Sequence, residues 1–198
     1  MRTKTRSSSQ TISLIGVFGA LILLQSFVPM VGYIRVFPGL PQISTVHLTV
    51  LIGAILVGYH GAAILGGFWG VLSLIIAYTT APDPLSFALF HQPLIAILPR
   101  ILAPLVAVLV YRHMQQWPNL GLVLAGVLGA LTNTIGVIAC TWLIYAGRAA
   151  SLVAGATGWQ LGLILAGMFL TNALFEAALA GIGVPVIGRV LLHLQHQL

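Results

Sequence analysis

Apolar residues run along this chain in long blocks rather than in the alternating pattern of half-buried strands. The first block, TISLIGVFGALILLQSFVPMVGYI over 11–34, exceeds the ~20 residues needed to cross a hydrocarbon core of about 30 Å. No small-residue cleavage site with a polar exit follows it, so it is expected to be retained rather than removed as a leader. A loop with Arg35, Pro38, Gly39 and Pro41 comes next. The apolar stretch from Thr45 to Thr80 is too long for one span and is interrupted at Gly58-Tyr59-His60-Gly61, which predicts two short helices, 45–59 and 61–80, joined by a tight turn. The segment 81–90 (APDPLSFALF), with two prolines and Asp83, predicts a loop or re-entrant piece. Further spans are predicted at 91–114, 119–147 and 158–180. Gly181, Gly183 and Pro185 then suggest a bend into an amphipathic tail over 186–198.

Composition supports lipid as the solvent: 59% of residues are apolar and 5% charged, against about 25% charged in a globular chain. The expected fold is therefore an all-α integral membrane protein, a single domain over 1–198 with six transmembrane helices in a compact bundle. Charges at the span ends set its orientation. Arg2, Lys4, Arg6, Arg112 and Arg189 fall on one side, Arg35 and Arg148 on the other, which puts both termini in the cytoplasm. The same inventory removes several function classes. Lys4 is the sole lysine, so no Walker loop exists and the chain is no P-loop ATPase. Two carboxylates (Asp83 and Glu176) and one cysteine (Cys140) give no basis for a metal site, a cofactor or an internal disulfide. The basic residues are scattered between apolar runs and form no surface for nucleic acid.

Helices in lipid gain little from burying apolar area, so close approach at small residues must hold them together. Candidate pairs are Gly16 with Ala20, Gly66 with Gly70, Gly126 with Ala130, and Gly158 with Gly162. For Gly16 and Ala20, packing inside the bundle and docking of a partner within the membrane both remain open. Intramembrane polar groups carry the functional signal, since each needs a partner, a cavity or a route to the headgroups. Arg100, in LPRILAP, sits roughly 14 Å into its span. It has two readings, a structural hydrogen-bond network or a cavity that receives an anion. Asn133 lies at similar depth, and His47, Tyr78 and His91 fall toward the same outer half. Asn172 and Glu176 are four apart and share a helix face. Counted from Gly158, Glu176 is expected about 27 Å down, near the cytoplasmic boundary, in a structural bond or facing a cytoplasmic partner.

The run HLTVLIGAILVGYHGAAILGGFWGVLSLIIAY, the P-D-P-L-S-F loop, PLIAILPRILAPLVAVLVYR and the GALTNT around Asn133 together resemble the substrate-binding (S) components of energy-coupling factor transporters. The Asn172–Glu176 pair fits the same pattern. This resemblance implies a prokaryotic plasma-membrane protein that captures a vitamin outside with high affinity. It also implies partners: a transmembrane coupling protein and two cytoplasmic ATPases, which would account for the missing ATP-binding lysine. The family docks through A-x-x-x-A on its first helix, matched here by Gly16 and Ala20 with glycine in the first place. The LPR and LTNT elements are most similar to the pantothenate type. Arg100, Asn133, His91, Tyr78, His47 and Asn172 are then the expected substrate-binding residues.

Pantothenate suits an arginine supported by an amide, because an arginine–carboxylate bond is strong when dry. A thiamin-type site would instead call for stacked aromatics and an acid; Trp69, Trp117, Trp142 and Trp159 are dispersed. Biotin, folate, hydroxymethylpyrimidine and pyridoxine stay open as cargo. The enzyme alternative is a six-span intramembrane serine protease. It needs G-x-S-G, and Ser73 in GVLSLI lacks the glycine that should follow. An autonomous small carrier is the remaining alternative.

Overall fold

The computed structural model describes residues 8–28, 31–34, 43–79 and 89–197. The Asp83 loop, most of the 35–44 loop, and Arg2, Lys4 and Arg6 of the tail lie outside the described residues. Among the described residues the helices follow in order: α1 (Ser8–Phe27), α2 (Val46–Val57), α3 (Tyr59–Thr79), α4 (Pro93–His113), α5 (Pro118–Tyr145) and α6 (Gly158–Gln197). A short 3-10 turn (Ala146–Ser151) joins α5 to the loop before α6. All but α2 are long and apolar enough to cross a membrane. With 12 residues, α2 reaches only about 18 Å at 1.5 Å per residue, short of the ~30 Å core.

That shortness is matched by a small hairpin. α1 ends at Phe27, before the apolar run that continues to Ile34 is over. Strands β1 (Tyr33–Ile34) and β2 (Ile43–Ser44) then pair antiparallel, Tyr33 opposite Ser44. Gly32 fits there because a Cβ would sit 2.9 Å from Val46 and would collide with the Gln25 carbonyl. A short α2 entered from this hairpin places the hairpin below the tips of the longer helices, within the bundle.

At the other end of α2, Gly58 makes the turn into α3. Its φ of 91° is a conformation that side chains resist. A Cβ there would also lie 2.8 Å from Arg112 Nη2, and the Arg112 guanidinium covers the Tyr59 ring at 4.6 Å. The two ends of the bundle are called below the hairpin end and the Gly58 end.

Three of the four small-residue pairs pack helix on helix. Gly66 and Gly70 of α3 lie against α4, where Cβ atoms would fall 2.8 Å from Pro104 and 2.8 Å from the Ile97 backbone. Gly126 meets the Ala180 backbone of α6, and Gly162 meets Trp142 of α5. Such contacts let backbones approach closely enough for dispersion to hold them. Gly16 of α1 is different: nothing lies within 4 Å of its Cβ position, and both it and Ala20 are exposed. α6 continues as one helix across Gly181, Gly183 and Pro185, where the turn-forming residues suggest a bend. A single proline removes one backbone hydrogen bond, and helices in lipid tolerate that when neighbours pack around it.

One buried cluster gathers Ile22, Leu51, Leu65, Trp69 and Leu122 around α2. A second, with Leu89, Ile95, Val137, Leu161 and Phe169, fills the hairpin end between α4, α5 and α6. The polar site lies where these clusters meet.

Candidate functional site

Close helix packing sets the levels of the polar side chains. Gly136 of α5 abuts Pro99 of α4, which brings Asn133 to within about one turn of Arg100 along the packed pair. Gly126 abuts Ala180 of α6; about two turns further toward the hairpin end, Asn133 and Asn172 reach a common level. Gly66 and Gly70 against α4 do the same for Trp69, which sits between them. Arg100, Asn133, Asn172 and Trp69 are all buried. Four different helices thus converge on one stratum of the bundle.

Arg100 is 5% exposed. Its Nη1 donates to the Ile95 carbonyl at 2.8 Å. The guanidinium lies over the Phe90 ring at 4.5 Å and the Trp69 ring at 5.5 Å, a geometry in which aromatic faces offset part of the cost of burying the cation. The Nε donor is buried with no partner among the described residues, and so is the Asn133 carbonyl oxygen Oδ1. Glu176 and Tyr33 are the ionisable groups within electrostatic reach of the guanidinium. Buried polar groups in native proteins are nearly always satisfied, so an idle donor and an idle acceptor at one level call for an explanation.

The Trp69 indole is held in place by a closed ring of hydrogen bonds. Its Nε1 donates to the Tyr33 hydroxyl at 3.2 Å, Tyr33 is 3.4 Å from the Ser73 hydroxyl, and Ser73 donates to the Trp69 carbonyl at 3.0 Å. This ring ties the hairpin to α3 and fixes the aromatic face under Arg100. Ser73, the residue weighed as a protease nucleophile, is committed to this ring.

Glu176 is in a structural bond, one of its two expected settings, but at another depth. It is buried, and its Oε1 accepts from the Ser44 backbone N–H at 2.8 Å, so it meets the hairpin rather than the far boundary. The depth count failed for two physical reasons. It took Gly158 as the membrane surface although α6 is 40 residues long, and it could not know that the hairpin sinks to the start of a short α2. His47, fully buried, has both ring nitrogens at backbone carbonyls, Nδ1 at Ser44 and Nε2 at Glu176 at 3.3 Å.

Tyr78 and His91 sit apart from this stratum. Their rings are 4.1 Å apart and the Tyr78 hydroxyl donates to the His91 carbonyl at 3.3 Å. Tyr78 is 62% exposed, and His91 lies in the turn just ahead of α4. They form a pair at the rim of the hairpin end. Tyr33, Ser44, Trp69 and Phe90 were missed as site residues in the sequence, because each reads there as ordinary apolar or interfacial chain. Only the run of glycines flanking Trp69 hinted that its helix face was closely approached.

Residues 10–188 match the family described as ECF transporter, substrate-specific component. This chain belongs to that family. A protein named pantothenate transporter PanT from Leuconostoc mesenteroides subsp. mesenteroides is 34% identical over 186 residues, covering 88% of each chain. The pantothenic acid transporter PanT of Lactococcus lactis subsp. cremoris is 30% identical over 190 residues, covering 88% of this chain and 90% of its own. Membership makes this a substrate-binding component of a membrane transporter rather than an enzyme.

Proposed function

We propose that the chain captures pantothenate at the outer face of the membrane and delivers it through a coupling protein driven by two ATPases on other chains. The observation that carries the cargo assignment is the Arg100 Nε donor, buried and uncommitted above Trp69 and Phe90. A carboxylate engaging Nε together with a terminal nitrogen makes the paired, charge-assisted bond that guanidinium geometry favours. The Asn133 oxygen then accepts from an amide N–H or hydroxyl of the same ligand, both of which pantothenate offers. The names of the two relatives point to the same cargo. Asn172, at the same level, completes the polar side of the site. Tyr78 and His91 belong to its mouth, and His47 acts from beneath.

In this reading the hairpin end faces outside, both termini face the cytoplasm, and α2 serves as a sixth, shortened span. The exposed Gly16–Ala20 face of α1 is the contact for the coupling protein, since of the four small-residue pairs it is the one left unpacked among the described residues.

Calorimetric titration of the purified chain with pantothenate, biotin, folate, pyridoxine and hydroxymethylpyrimidine tests the cargo. Saturable one-to-one binding strongest for pantothenate is expected, with pantothenate also found by mass spectrometry in protein purified without added ligand. Tighter binding of any other vitamin overturns the assignment.

A further inference from the structure

Among the described residues, six buried side-chain atoms have no hydrogen-bond partner: Gln25 Oε1, Ser26 Oγ, Ser44 Oγ, Arg100 Nε, Asn133 Oδ1 and Thr141 Oγ1. The cargo reading uses Arg100 and Asn133. Of the other four, Ser44 is the one that the backbone ties to the same site.

Ser44 is 6% exposed and stands opposite Tyr33 in the β1–β2 pair. Directly opposed residues of an antiparallel pair put their side chains on one face, about 5 Å apart at Cβ. The Tyr33 hydroxyl accepts from Trp69 Nε1 at 3.2 Å, so the hairpin face that carries Ser44 is the face turned to Trp69. The Arg100 guanidinium lies over the same indole, 5.5 Å from its centre. Trp69 thus spans the space between the guanidinium and the hairpin.

Both peptide groups of Ser44 are engaged. Its N–H donates to Glu176 Oε1 at 2.8 Å, and its carbonyl lies against His47 Nδ1. The residue is anchored from α6 and from α2, which holds its side chain in position. Hydroxyls on helices commonly turn back to their own backbone. Ser13, Ser73, Thr79 and Thr132 each donate to the carbonyl four residues earlier. An extended strand places no carbonyl there, and the Ser44 hydroxyl stays dry and idle. Such a group costs free energy until a partner takes it up.

We propose that the Ser44 hydroxyl is the specificity contact for the far end of the cargo, pairing with the primary hydroxyl of a hydroxy acid whose carboxylate sits at Arg100. This rests on the reading of Arg100 as the anion-binding residue. Pantothenate carries its primary hydroxyl eight bonds from the carboxylate carbon, about 9 Å at the extended reach of a chain, which is long enough to pass one indole. The hydrogen-bonding roles agree. Arg100 Nε only donates and Asn133 Oδ1 only accepts, whereas a serine hydroxyl does both and so matches another hydroxyl. Biotin has a carboxylate but no hydroxyl and would leave Ser44 idle. A site built to bond a substrate hydroxyl discriminates strongly against an analogue that lacks it.

The test crosses two ligands with the full chain and its variants in lipid nanodiscs. Calorimetry measures binding of pantothenate and of its analogue in which CH3 replaces the CH2OH group. The wild-type chain should bind the analogue about tenfold more weakly. Ser44→Ala should bind pantothenate no better than the analogue. Ser44→Cys keeps the size of the side chain but hydrogen-bonds only weakly; it should give the same result and stands in if alanine loosens the hairpin. A tenfold preference for pantothenate that persists in both variants overturns the proposal, even if both ligands weaken together, because the hydroxyl then serves the fold or a buried water. Equal affinity of the two ligands for a wild-type chain that binds pantothenate tightly refutes this inference alone. A wild-type chain that binds no pantothenate refutes the cargo reading.

Discussion

Arg100→Ala should reduce pantothenate affinity by about 2–5 kcal/mol, the cost of truncating one partner of a buried hydrogen-bonded charge pair, or roughly 30-fold to several thousand-fold in Kd. The loss has two sources. One is the ionic hydrogen bond itself, which is strongest in the dry setting that Trp69 and Phe90 create around the guanidinium. The other is the cargo carboxylate, which would be buried without the cation that offsets its desolvation. Arg100→Lys should recover only part of the affinity, because an ammonium is a point charge without the planar fork. The folded protein should survive in both variants, since among the described residues the guanidinium donates a hydrogen bond to Ile95 of its own helix and to no other helix. Calorimetry with a melting curve on the same sample separates the two effects. Unchanged affinity removes Arg100 from the site.

Gly16→Leu should abolish uptake while leaving pantothenate affinity within about twofold, the range of an exposed substitution remote from any buried feature. The Cβ position of Gly16 is open among the described residues, and the position is exposed, so a side chain there extends away from the bundle. Its effect falls on a partner helix, which a leucine would hold away from the backbone and so deprive of the close contact on which association in lipid depends. Cells that express this chain with the coupling protein and both ATPases measure uptake, and co-purification measures assembly. Wild type should transport only when those subunits are present. Uptake by Gly16→Leu at the wild-type rate would remove this face from docking, and uptake by the chain alone would make it an autonomous carrier.

Much of the architecture can be read from residues whose chemistry has few uses in lipid. The break between α2 and α3 is legible because Gly58 is one of few residues that accept its backbone conformation. Arg100 and Asn133 stand out because no apolar span keeps such groups idly. The glycine pairs announce close packing, but they do not say against what, and only the structure separates Gly66 and Gly70, pressed on α4, from Gly16, pressed on nothing. The hairpin was hidden, one strand at the end of the first apolar run and the other in the loop after it, since two residues per strand leave no alternating pattern to detect. With the hairpin unseen, Ser44 had no role and Glu176 appeared far from the site. The aromatic bed under Arg100 was equally hidden, because a tryptophan and a phenylalanine in membrane helices look like lipid anchors until their rings are seen beneath a cation.

The most direct measurement compares pantothenate with its alcohol analogue, in which a hydroxymethyl group replaces the carboxylate and the rest of the molecule is unchanged. If the Arg100 Nε is idle because it awaits an anion, the alcohol should bind the purified wild-type chain at least about 30-fold more weakly than the acid, and Arg100→Ala should bring the two ligands to nearly the same affinity. Equal affinity of acid and alcohol for the wild-type chain would contradict the account.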